Sequence, residues 1–260
     1  MAWVAAILAV VLAMAAMGWV LWTRRHSNTR GPTGGGAAAS MIAHEMKNPL
    51  MAIKGLAATG RRHYDSMSED ERREFFELIN EEADRLILII EQTAMAMRIE
   101  ARDVEYDVRP ETVADLIEEV VERASLGKHP IEIEIEPDLT VRCDRVRTAE
   151  VLASLLDNAA KFSPESSPIS VRAFRNERDA VIEVEDLGPG VAPEDRERIF
   201  ERYSSTRPRG YEEIPGAGLS LFITRAHVNA QGGSVRADGA VGDGGTILRL
   251  RLPVEVRSAG

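Results

Sequence analysis

A chain of 260 residues has room for one or two domains, and its 44% hydrophobic and 28% charged content excludes a disordered polypeptide. One cysteine, Cys143, excludes an intrachain disulfide and a thiolate metal cluster and suits a reducing compartment. The net charge of −10 is uneven: residues 1–63 carry seven Lys/Arg against one acid, Glu45, so the remainder holds −16 and is a poor partner for nucleic acid.

Residues 1–22 contain no charge. As a helix they would span about 33 Å, against about 30 Å for a hydrocarbon core. Trp3 stands near one end, Trp19 and Trp22 near the other, and Arg24, Arg25 and Arg30 follow. This predicts a single-pass anchor in the inner (cytoplasmic) membrane with the rest of the chain in the cytoplasm. The alternative, a cleaved signal peptide, fits less well because the basic residues follow the apolar run. Residues 23–37, with a proline and three consecutive glycines, read as a flexible tether.

From residue 38 the pattern becomes helical. Ile42, Met46, Pro49, Ile53, Leu56 and Gly60 step by 4, 3, 4, 3 and 4, a heptad seam that places His44 on the outward side. Ser68 and Glu71 form a capping-box pattern ahead of a second helix, with Phe76, Ile79, Ala83, Leu86, Ile90, Thr93 and Met97 as its seam. Residues 38–100 therefore read as an all-α two-helix hairpin. One hairpin buries two seams poorly, so a homodimer closing a four-helix bundle is expected.

Residues 103–254 change character, and 255–260 form a short tail. Strand-like runs at 104–108, 131–135, 169–174, 181–185, 233–236 and 246–252 alternate with helical runs at 113–124, 145–162, 193–203 and 219–230. The expectation is a two-layer α+β sandwich with helices on one face of a mixed sheet.

Four stretches in this half carry chemistry. Residues 154–163 read S-L-L-D-N-A-A-K-F-S, with Asn158 and Lys161 three apart on one helix face. An amide oxygen and an ammonium so placed suit a magnesium-bound triphosphate. Residues 186–190, D-L-G-P-G, follow a strand: a carboxylate there can accept from an exocyclic amine such as that of adenine, and the glycines allow close approach of a flat ring. Residues 199–203, I-F-E-R-Y, hold Phe200, which equally suits core packing. Residues 216–221, G-A-G-L-S-L, open a helix with glycines, a phosphate-cradling arrangement. Between the last two, residues 204–215 are rich in Arg, Gly and Pro and read as a lid over a nucleotide.

Each motif is weak alone. In this order, and together with residues 43–50, A-H-E-M-K-N-P-L, they make the chain resemble a sensor histidine kinase of a two-component system. The resemblance covers residues 38–253 and implies a dimerisation and phosphotransfer hairpin followed by a gyrase-type ATP-binding domain. It implies that His44 is the phosphoacceptor, Glu45 its general base, and Asn48 the residue that orients a water for dephosphorylating a response regulator. Asn158 would hold magnesium and phosphate, Lys161 phosphate, and Phe162 would pack near the adenine read by Asp186. Gly188, Gly190, Gly216, Gly218 and Leu219 would shape the pocket and the lid. The implied cofactors are ATP and Mg2+, and the implied partners are a second copy, a regulator's receiver domain and the membrane.

Two positions depart from the family's usual pattern: Ser154 stands where a second asparagine is common, leaving a shorter hydroxyl as the further magnesium ligand, and Ser220 stands where glycine is common. Two other readings follow. One is a regulator phosphatase or pseudokinase with feeble autophosphorylation; the other is a non-catalytic membrane scaffold.

Overall fold

A computed structural model of the chain describes residues 35–124, 126–204, 206, 211, 216–240 and 244–255. The expected anchor at residues 1–22 lies outside them, and among the described residues no helix is long and apolar enough to cross a membrane. The chain divides into two compact units, Met1–Ile90 and Glu91–Gly260.

In the first unit, α1 (Gly35–His63) and the early turns of α2 (Glu69–Glu100) flank a 3-10 turn at Tyr64–Ser66. Helix α1 begins inside the expected tether, taking in Gly35 and Gly36. The turn is pinned by Arg72, whose Nε donates to the Tyr64 carbonyl at 3.0 Å while its guanidinium lies 4.3 Å from the Tyr64 ring centre. The capping box forms as expected: Ser68 N donates to Glu71 Oε2 at 2.6 Å and Glu71 N to Ser68 Oγ at 3.2 Å. These bonds hold the Glu71 carboxyl below its ordinary value.

The second seam is part-covered in the single chain. Phe76 is 58% exposed, and its neighbour Phe75 turns inward, where a Cβ on Gly60 would come within 2.9 Å of the ring. Gly60 therefore marks a close approach of the two helices. Pro49 is buried inside α1. Lacking an N–H, it leaves the Glu45 carbonyl without its helical donor.

The second unit is built on a five-stranded sheet of order β2-β4-β5-β7-β6 (Ile131–Ile135, Ile169–Asn176, Asp179–Asp186, Thr246–Pro253, Ser234–Gly239). Only β2–β4 is parallel. A small antiparallel pair joins β1 (Arg109–Thr112) to β3 (Thr140–Cys143). The expected strand at 104–108 is absent. Its V-E-Y-D-V alternation is strand-like, but its polar groups go to side chains, such as Asp107 N to Asp144 Oδ2 at 2.9 Å.

Helices α3 (Val113–Arg123), α4 (Arg145–Phe162) and α5 (Ser220–Ala230) supply the second layer. Val113, Leu116, Ile117 and Val120 of α3 are buried at helical spacing, as are Val151, Leu152, Leu155, Leu156 and Ala159 of α4. They share one core with alternate residues of β4 and β7. Burial of each large aliphatic side chain contributes about 1.5–3 kcal/mol. Asp144 caps α4, accepting from Arg147 N at 3.0 Å. On the outer sheet face the Glu183 carboxylate is 4% exposed and held between Arg172 at 2.9 Å and Arg249 at 2.5 Å. A charge buried this deeply is tolerated because it is paired on two sides.

The expected helix at 193–203 is also corrected. The segment forms two 3-10 turns, Pro193–Asp195 and Arg198–Phe200. The second drives Phe200, 1% exposed, into the core under the Arg225 guanidinium.

Candidate nucleotide and phosphoacceptor sites

In the second unit, Asp186 ends β5 and is 4% exposed. Gly188 N donates to its Oδ1 at 2.7 Å, and Thr246 donates from both backbone and hydroxyl. Burial raises its pKa from 3.8 to about 6, opposed by the Gly188 and Thr246 bonds. The strand register sets Thr246 directly across from Asp186.

The glycines around Asp186 are there for room. A Cβ on Gly188 would sit 2.5 Å from the Phe162 carbonyl oxygen. Gly190, at φ +78, faces the Gly245 carbonyl, and Gly245 N donates to Gly188 O at 2.6 Å. Gly244, Gly245 and Thr246 are thus part of the site, and sequence reasoning missed them. The signal was present as G-D-G-G-T ahead of β7.

On α4, Asn158 Nδ2 donates to the Ser154 carbonyl at 2.6 Å, which leaves its Oδ1 as the group able to ligate. Ser154 Oγ is buried with no hydrogen-bond partner. Lys161 pairs with Asp157 at 2.5 Å, one turn back. Both are well exposed, so the pair is weak and can open to another anion. The Phe162 ring lies 6.0 Å from that of Tyr211, a residue of the expected lid, at an interplanar angle of 44°. Among the described residues no cluster of three His, Cys, Asp or Glu could hold a metal. The neutral oxygens of Asn158 and Ser154 fit a magnesium ion that arrives with phosphate ligands of its own.

At the second glycine stretch, Gly218 has φ +63, and a Cβ there would collide with the backbone of Ser204. Tyr203 N donates to Gly218 O at 2.9 Å. Gly216 and Ala217 precede it. Leu219 is fully buried with Ala96 and Ala217, flanked by Tyr203, Phe222 and Ile223, so its side chain serves packing. Helix α5 starts at Ser220 with no side-chain cap, which leaves its first N–H groups suited to an anion.

In the first unit, His44 and Asn48 are exposed on α1, one turn apart, as the heptad register requires. Glu45 is half-buried, and its Oε2 is an acceptor without a partner.

Comparison with known proteins finds two successive domain types. Residues 36–102 match the family model described as His Kinase A (phospho-acceptor) domain, and residues 143–256 match Histidine kinase-, DNA gyrase B-, and HSP90-like ATPase. The chain is 30% identical over 218 residues to the Sensor protein KdpD of Clostridium acetobutylicum, covering 83% of this chain and 24% of that protein. It is 30% identical over 233 residues to the Sensor protein ChvG of Agrobacterium fabrum, covering 85% and 39%. It thus spans about a quarter to two-fifths of the length of these relatives. A full-length ShkA structure in complex with AMPPNP is similar at a TM-score of 0.60 and 25% identity, covering 87% of this chain and 47% of that one. With a phospho-acceptor domain followed by an ATPase domain of this type, the chain belongs to the sensor histidine kinases.

Proposed function

We propose that the chain is an ATP-dependent protein-histidine kinase that phosphorylates His44 and passes the phosphoryl group to an aspartate of a separate response regulator. The observation that carries this reading is the exposed His44 beside Glu45, within the phospho-acceptor match, in a chain whose ATPase match also holds the buried Asp186 carboxyl. An imidazole nitrogen of His44 attacks the γ-phosphorus, the bond to the β-γ bridging oxygen breaks, and ADP leaves. Glu45, whose Oε2 is unpartnered, takes the imidazole proton. Asp186 accepts from the adenine amine. Lys161 exchanges Asp157 for phosphate oxygens, and the open N-terminus of α5 receives phosphate charge. Magnesium, held by Asn158 Oδ1 with Ser154 Oγ beside it, would neutralise charge on the transferring group. Transfer of this kind rests on positioning and charge more than on covalent chemistry.

The exposed apolar residues of the hairpin (Phe76, Leu78, Ile87 and Leu88) support a second copy closing a four-helix bundle. The uncharged residues 1–22 and the arginines after them support a membrane anchor.

Incubation with labelled ATP and magnesium tests the assignment. Label should appear on the wild type and vanish in His44→Gln; label that survives the substitution refutes it. A second reading, a regulator phosphatase with weak autophosphorylation, is favoured by the buried Ser154 Oγ. Ser154→Asn would then raise labelling strongly.

A further inference from the structure

Residues 101–108 connect α2 to β1 with no helix or strand of their own. Side chains tie them down. Tyr106 Oη meets Nδ1 of His227 at 2.9 Å, Asp107 N donates to Asp144 Oδ2 at 2.9 Å, and Arg98 Nε donates to the Asp103 carbonyl at 3.2 Å. His227 lies on α5 and is 1% exposed, its ring set edge-on to Tyr106 at 72°. Its other nitrogen, Nε2, is buried and has no hydrogen-bond partner. The carboxylate facing it, Glu150 Oε2, stands 3.8 Å away, beyond hydrogen-bond reach.

The charged groups around this ring are already engaged. Both Glu150 oxygens take the Arg147 guanidinium at 2.9 Å. Asp144 caps α4 through Arg147 N and accepts from Asp107 N. Gln231 receives Asp144 N on its Oε1 and gives its Nε2 to the His227 carbonyl. A neutral imidazole fits this setting. With Nδ1 accepting from the Tyr106 hydroxyl, the neutral ring carries its one N–H on Nε2, and the imidazolium adds a full charge beside a carboxylate already paired with Arg147. Protonating Nδ1 reverses this contact, the Tyr106 hydroxyl having to turn and accept, and leaves the charge in a ring that is 1% exposed. A buried charge without a partner costs several kcal/mol unless the structure opens.

We propose that Tyr106 and His227 form a proton-operated latch on the linker between α2 and the ATP-binding fold, closed while His227 is neutral and released when it is protonated. Burial lowers the affinity of His227 for a proton and Arg147 adds to this, while Glu150 and Asp144 oppose it. The closed state therefore binds the proton more weakly than the open one, and acid favours opening. The linker is the covalent route between the helices and the ATP-binding fold, so its release would make that connection pH-sensitive. The latch does not rest on the phosphotransfer reading.

The Asp107 amide is the reporter, because its N–H is closed by the same segment. In the full chain, its hydrogen-exchange protection, corrected for intrinsic exchange, should fall severalfold, and at most about tenfold, between about pH 7.5 and about pH 5.5. His227→Gln keeps an uncharged acceptor and should show equal protection at both values. Tyr106→Phe removes a single oxygen from a half-buried ring and should leave the amide weakly protected at both. Unchanged wild-type protection, or a wild-type response in Tyr106→Phe, overturns the proposal. A wild-type fall in His227→Gln assigns the response to a carboxylate and overturns it equally. If His227→Gln does not fold, the wild type and Tyr106→Phe decide between them.

Discussion

Asp186 should destabilise the ligand-free fold at neutral pH, and the size of the effect follows from its surroundings. The carboxyl is 4% exposed, and its pKa rises from 3.8 to about 6 because burial outweighs the Gly188 and Thr246 hydrogen bonds. A shift of about two units corresponds to about 3 kcal/mol between protonation states. The folded state binds the proton more tightly than the unfolded chain, so stability from this group is present at low pH and is lost as pH rises from about 4 through about 6. This is the reverse of an ion-paired carboxylate.

Asp186→Asn removes the titration while keeping an acceptor for Gly188 N. Its fixed offset from the wild type depends on how the amide meets Thr246, but the pH dependence of the difference does not. Urea unfolding of both proteins from about pH 7.5 to about pH 4 should show the wild type gaining on the variant by about 2–2.5 kcal/mol as pH falls, most of the full shift. On the proposed role of Asp186, ATP should act unequally on the two proteins, because only the carboxylate would offer a charged acceptor to the adenine amine. The wild type should be strongly stabilised by ATP at pH 7.5 and the variant scarcely at all. A difference curve that is flat, or in which the wild type loses ground as pH falls, refutes the account of Asp186.

Three further outcomes follow from single contacts. Gly188→Ala should abolish the ATP-dependent rise in melting temperature and cost about 1–3 kcal/mol of stability, since its Cβ would meet the Phe162 carbonyl at 2.5 Å; differential scanning calorimetry reads both. Ser68→Ala should cost about 1 kcal/mol by opening the reciprocal bonds with Glu71, measured by chemical denaturation of the full chain. Ile87→Asp places a charge on a side chain 51% exposed in the single chain, so it should weaken self-association in sedimentation while leaving ATP binding unchanged.

The parts of the site legible in sequence are those where a local rule forces a residue type. His44 is outward because the heptad seam is occupied by Ile42, Met46 and Pro49, and α4 runs from Arg145 to Phe162 because Asp144 caps an apolar 3/4 pattern. Gly188 and Gly218 were legible because crowded or left-handed backbone admits little else. What escaped was set by distant partners. The 193–203 segment has helical composition, yet Phe200 must reach the core beneath Arg225, which two short turns achieve. Thr246 reads as an ordinary strand residue until the β5–β7 register brings it across from Asp186.

The same distinction explains why the linker looked like a strand. Val104, Tyr106 and Val108 alternate with acids, and alternation alone cannot say whether the backbone will find a ladder. Here the decisive interactions are one hydroxyl on His227 and one amide on Asp144, 121 and 37 residues away in sequence. A ladder of backbone bonds responds little to pH, whereas a tie made through an imidazole responds to a single proton. The residue pattern that misleads a strand assignment is therefore the one that makes the connection between the helices and the ATP-binding fold titratable.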